Sequence, residues 1–121
     1  MAKKILLIDD ETMITKTLQK LLKKEGYDVS SAANGEEALT KARESKPNLM
    51  FLDVMMPKKN GYEVCRELKS DAGMSDIYII ILSAKGQEAD KEKALSSGAN
   101  EFMTKPFSPV AIISRVKELL P

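Results

Sequence analysis

The sequence predicts an α/β fold in which five parallel strands, in the spatial order 2-1-3-4-5, form a doubly wound sheet between two layers of helices. Three observations point there. Short apolar or β-branched runs alternate with longer segments of helical spacing, the rhythm of βα units. Three of the runs, ILLI, LMFL and IYIIIL, are apolar on both faces, as strands covered on both sides must be. The chain's 121 residues, 43% apolar and 31% charged, suit a single domain, expected to span 1–121.

The first strand is read at Lys4 to Ile8. The helix after it carries Ile14, Leu18, Leu21 and Leu22 on one face, with Lys23 and Lys24 in its last turn and Gly26 as its stop. Tyr27 to Ala32 forms the second strand. The second helix runs from about Gly35 to Ser45, capped by Asn34 with Glu37 three residues on, turns Ala38, Leu39 and Ala42 inward, and ends before Pro47. Leu49 to Leu52 is the third strand, and the helix opened by Asn60-Gly61 uses Val64, Cys65 and Leu68. The fourth strand, Ile77 to Leu82, leads to a helix of about Gln87 to Ser97. That helix has small apolar residues and Leu95 on a charged background, so it is expected to be the most weakly anchored and mobile element. Glu101 to Thr104 completes the sheet, and Ser108-Pro109 caps and opens the last helix.

Composition narrows the chemistry. Histidine is absent, which removes Ser-His-Asp and Cys-His nucleophile systems, histidine-bound zinc and phosphohistidine on this chain. Nineteen Lys and Arg against eighteen Asp and Glu give +1 overall, too little to hold a nucleic-acid backbone or an anionic membrane by charge alone. Asp9-Asp10-Glu11 cuts the first apolar run far short of a signal-peptide core, and Ile77 to Leu82 is far short of the roughly 20 residues of a membrane span. A lone Cys65 forbids an internal disulfide and reads as a small buried hydrophobe, so a reducing, cytoplasmic setting is expected.

The unusual polar residues then fall in one place. Asp9-Asp10 end strand one, Asp53 ends strand three, Ser83 follows strand four and Lys105 follows strand five. In an open parallel sheet ligands bind at the carboxyl ends of the strands, and order 2-1-3-4-5 makes these four strands neighbours. Strand two, at the edge, ends in Ser30-Ser31-Ala32-Ala33 and brings no charge. Three carboxylates in one cleft repel by roughly 4 kcal/mol per pair at 4 Å and an effective dielectric near 20, so a cation is called for. Oxygen-only donors select a hard ion, Mg²⁺ (or Mn²⁺) where phosphate is handled. Three Asp, Lys105 and one Mg²⁺ sum to zero charge, leaving room for a phosphoryl group. An ionised carboxylate can attack phosphorus without a general base to give an acyl phosphate.

Taken in order, Ile8-Asp9-Asp10-Glu11, Asp53-Val54-Met55-Met56-Pro57 through Asn60-Gly61, Ser83-Ala84-Lys85 and Gly98 through Phe107 resemble the receiver domain of two-component response regulators, the CheY-like family with its flavodoxin-like (βα)5 sandwich. The resemblance covers essentially the whole chain. It implies that Asp53 is phosphorylated from a sensor histidine kinase or phosphotransfer protein, and that Asp10 and Asp53 hold Mg²⁺ directly, with Asp9 acting through water. It further implies a metal oxygen from the Met55 backbone carbonyl, a phosphoryl contact from Lys105, a turn of Ser83 toward the phosphoryl group, and a cis Pro106 aiming Lys105. Phe102 occupies the family's switch aromatic. Here the ring has no hydroxyl, which suggests an inward bias, although Phe102 also reads as a core residue of strand five. Ser83 stands where Thr is commoner. Met55 and Lys85, each two residues past a site residue, are placed to tune acyl-phosphate lifetime.

The function so implied is a switch, not a turnover enzyme: its output is a changed surface around helix four, strand five and helix five, read by a downstream protein or output domain. Monomer and phosphorylation-dependent dimer are both compatible with it, and neither nucleic acid nor membrane is expected to touch these residues. Two other classes share the architecture. An Asp-nucleophile phosphohydrolase would need a second carboxylate two residues after Asp53, where Met55 stands. An FMN carrier would need a hydroxyl- or glycine-rich loop after strand one, where carboxylates stand.

Overall fold

A computed structural model of the chain describes residues 3–9, 12–54, 60–83, 88–104 and 108–120, with the side chains of 12–14 and 88–89 set aside. Strands and helices alternate throughout: β1 Lys4–Ile8, α1 Thr12–Lys24, β2 Asp28–Ala32, α2 Gly35–Ser45, β3 Leu49–Asp53, α3 Gly61–Ser70, β4 Tyr78–Ser83, α4 Glu88–Ser96, β5 Glu101–Thr104 and α5 Pro109–Leu119. The five strands are all parallel and lie in the order β2-β1-β3-β4-β5. This is the doubly wound, CheY-like sheet that the sequence predicts.

Strand alternation sorts the apolar residues into two cores. Leu6, Ile8, Met50, Leu52, Ile79 and Ile81 point to one side, where Ala38, Leu39 and Ala42 of α2, Val64, Cys65 and Leu68 of α3 and Ala94 of α4 meet them. Ile5, Leu7, Leu49, Phe51, Ile80 and Leu82 point to the other, against Leu18 and Leu22 of α1 and Ile112 and Val116 of α5. Both faces of β1, β3 and β4 are therefore covered, the condition that makes a fully apolar strand stable.

Strand ends differ from the sequence reading by one residue, for local reasons. β2 starts at Asp28 because the Tyr27 N–H donates back to the Leu22 carbonyl (3.2 Å), closing α1 in a Schellman turn around Gly26 at φ 98°. β4 starts at Tyr78 because the Ile77 N–H bonds Met74 in the preceding turn. At the other end the ladder runs further than expected: Asp53 pairs with Leu82 and Ser83 with Thr104. The two polar residues are thus the last members of their strands.

α4 buries little. Ala94 is inaccessible, whereas Leu95, the one large apolar residue of the helix, is 48% exposed. The helix also ends in a Schellman turn, Ala99 N–H to Ala94 O with Gly98 at φ 99°, after which Asn100 enters β5. Ile14, expected on the inner face of α1, has a side chain outside those described, and Leu21 beside it is only half-buried.

Candidate functional site

β1 and β3 pair with Ile8 opposite Leu52. The next residues, Asp9 and Asp53, therefore leave the two strands side by side, their backbones about 4.8 Å apart as in any parallel pair. Both carboxylates are buried, at 8% and 4% exposure. Ser83, 6% exposed, ends the neighbouring strand one residue past the partner of Asp53, and by pleat alternation it leans to the opposite side of the sheet rim. All three side chains engage their surroundings. Within Asp9 the Oδ2 atom is shut away from solvent and takes no hydrogen bond from the described residues. A cleft of about 240 Å³, lined in part by Asp9, Thr15, Lys16, Ser31 and Lys41, opens on the β2 side of the pair.

The turn after Asp53 is closed by backbone bonds. The Val54 N–H donates to Leu82 O of β4 (3.0 Å), and the Val54 carbonyl accepts from Gly61 N–H (3.1 Å) at the start of α3. Asn60 caps that helix: its side chain accepts from Glu63 N–H (2.9 Å) while Glu63 reaches back to the Asn60 N–H, a capping box. Tyr62, in the first turn of α3, packs against the core and lies 3.4 Å from the Asp90 carbonyl of α4; burial, and secondarily Asp90, pushes its phenol above the usual range. Phe102 on β5 is half-buried against the same core.

Asp9, Asp53 and Ser83 thus lie buried at the carboxyl ends of three neighbouring strands. Asp10, Met55, Lys105 and Pro106, the remaining site residues named from the sequence, lie outside the described residues, as does Lys85. Among the described residues no group of three metal-capable side chains forms; the pair present, two buried carboxylates, offers the hard oxygen chemistry that suits Mg²⁺. Two features were given no part in the site by the sequence. Thr15, buried on α1 and lining the same small cavity as Asp9, reads in sequence as an ordinary helix polar residue. Gly61 reads as a helix opener, yet a Cβ added to it would run into the backbone of Asp53.

Comparison with known proteins fits this geometry. A family defined as the response regulator receiver domain matches residues 5–117. The chain belongs to that family. Receiver domains are signalling modules of two-component systems rather than turnover enzymes. Among curated relatives, the alkaline phosphatase synthesis transcriptional regulatory protein PhoP of Bacillus subtilis is 50% identical over 120 residues, covering 99% of this receiver and 49% of that protein. The receiver spans about half the length of the curated relatives it matches. Among solved structures, the chemotaxis response regulator CheY4 of Vibrio cholerae superposes with a TM-score of 0.92 at 28% identity, covering 99% of this chain and all of that one. A BeF3-activated DrrB receiver domain superposes at 0.88 with 32% identity, covering 99% and 98%. No described helix of this receiver is long and apolar enough to cross a membrane.

Proposed function

We propose that this receiver works in the cytoplasm, accepts a phosphoryl group on Asp53 from the phosphohistidine of a sensor histidine kinase or phosphotransfer protein, and relays the change to a partner or output domain. The observation that supports this most directly is the β1–β3 register, which sets two buried carboxylates side by side at the carboxyl edge. A carboxylate can attack phosphorus without a general base, and a cation held beside the pair would offset both the repulsion between the two carboxylates and the added negative charge of the phosphoryl group.

In the step itself an Asp53 carboxylate oxygen forms the bond to phosphorus as the P–N bond to the donor imidazole breaks. The electron pair leaves with the imidazole, which picks up a proton. Asp9, Asp10, Asp53 and the Met55 carbonyl would hold Mg²⁺ (or Mn²⁺), which when bound supplies charge neutralisation of the transferring oxygens. Lys105 contributes a positive charge to the phosphoryl oxygens, with Pro106 setting its direction. Ser83 donates its hydroxyl to the transferred group, and Phe102, packed against the core that also receives Ala94, follows that movement to alter the α4–β5–α5 surface. The BeF3-activated state of a receiver relative is in keeping with acyl-phosphate chemistry on this scaffold.

Intact-mass spectrometry after incubation with acetyl phosphate tests the reading. A single phosphoryl adduct is expected with Mg²⁺, and none with EDTA or in Asp53→Asn. An adduct that survives in Asp53→Asn would place the acceptor elsewhere.

A further inference from the structure

We propose that Gly61 is a positioning residue for transfer to Asp53: its missing side chain lets the start of α3 rest directly on the acceptor's own backbone. This rests on the reading of Asp53 as acceptor. A Cβ built at Gly61 would stand 2.6 Å from the Asp53 carbonyl oxygen, 3.1 Å from the Asp53 carbonyl carbon and 3.1 Å from the Val54 Cα. Ordinary contact begins at 3.4 Å, so a single methyl group overlaps by about 0.8 Å. The need is for space, not for backbone freedom, because Gly61 is absent from the positive-φ residues.

Neither side of this contact has room to retreat. Asp53 is fixed on one side by its pairing with Leu82, and Val54 is held by the bond from its N–H to Leu82 O and by the bond its carbonyl accepts from Gly61 itself. On the other side the Asn60–Glu63 capping box fixes the first turn of α3, and Val64, Cys65 and Leu68 lock the helix in the core. A side chain at 61 must therefore displace the Asp53 peptide, and with it the carboxylate's alignment to Asp9. Misplacement of reacting groups by about 1 Å costs on the order of 100-fold in rate.

The other glycines supply controls. A Cβ at Gly98 would meet Lys69 Cγ at 2.9 Å, and the residue sits at φ 99°, so Gly98→Ala is strained too, but at the opposite edge of the sheet. A Cβ at Gly73 would meet only Asp71 Oδ1, at an ordinary 3.5 Å.

The experiment measures the rate of Asp53 adduct formation from acetyl phosphate with Mg²⁺, normalised to the folded fraction by circular dichroism, together with the amide spectrum. Gly61→Ala is expected to react about 10- to 100-fold more slowly per folded molecule, with shifted Asp53 and Val54 amide resonances. Gly98→Ala, though less stable, and Gly73→Ala are expected to react at the wild-type rate with those resonances unmoved. A wild-type rate per folded molecule in Gly61→Ala overturns the proposal, as does an equal slowing in Gly98→Ala. If Gly61→Ala does not fold, Asn60→Ala decides, because loosening the cap releases the contact: slowed transfer supports the proposal and an unchanged rate overturns it. Failure of the wild type itself to form an Asp53-dependent adduct would instead count against the acceptor reading.

Discussion

The two edges of the sheet are built on opposite principles. At the carboxyl edge, like charges are buried together: Asp9 and Asp53 leave adjacent strands side by side. At the amino edge, a half-buried charge is hydrogen-bonded on every side by neutral oxygens. Lys69, at the end of α3, donates to the carbonyls of Ser75 (3.1 Å) and Ile77 (2.6 Å) and to Asn100 Oδ1 (2.9 Å), so all three ammonium hydrogens are used. Asn100 Oδ1 accepts in addition from the Ile79 N–H. The result ties α3, the start of β4 and the turn between α4 and β5 into one knot, over which Gly98 lies without a Cβ. Burial still lowers the Lys69 pKa, with Cys65 and Asp76 pulling the other way. One edge sets two buried carboxylates side by side, and the other spends its polar groups on rigidity. α4, thin in apolar contacts, is held at its end nearest the knot.

Substitutions should separate the two edges. The largest effect is expected from Asp53→Asn, which should abolish the phosphoryl adduct while leaving the protein at least as stable in urea, since one of two neighbouring buried charges is gone. Lys69→Met should do the reverse. Its loss leaves Asn100, Ser75 and Ile77 short of a donor and should cost about 2 kcal/mol in urea denaturation, with the adduct rate per folded molecule unchanged. A Lys69→Met variant that transfers slowly would show the edges to be coupled.

Cys65 sharpens the amino edge by pH. Burial raises its thiol pKa above the ordinary 9.0, outweighing Ser97, Lys69 and Arg66, which lower it. The folded thiol therefore keeps its proton where the unfolded one has lost it. Stability from this group is complete below the unfolded value and is lost as pH rises past it toward the folded value. Cys65→Ala, less stable at pH 7 through its lost packing, should close that gap progressively above about pH 9, as read by urea midpoints across pH. A constant gap would mean the thiol does not titrate differently in the two states. The smallest effect is expected at Lys117→Ala. Its pair with Glu25 (3.2 Å) is exposed, at 54% and 39%, and should be worth under about 0.5 kcal/mol in the same assay, vanishing at high salt.

Sequence by itself determined the element order and the inward faces, because each depends on neighbours within a turn or a strand. Apolar runs without alternation could only be strands covered twice, and Asn34, Asn60 and Ser108 could only pay their polar groups into helix starts. A chain without histidine turned attention to its carboxylates. Local signals left Leu95 unassigned, because periodicity cannot orient a helix with so few apolar residues. They were silent on Lys69, indistinguishable in sequence from a surface lysine in a helix's last turn. Tertiary structure decided the rest. Strand register set Asp9 beside Asp53, chain segments from Ser75 to Asn100 supplied the partners of Lys69, and the return of α3 brought Gly61 against the backbone of Asp53. These depend on distances between residues far apart in the chain, which are fixed only when both cores close together.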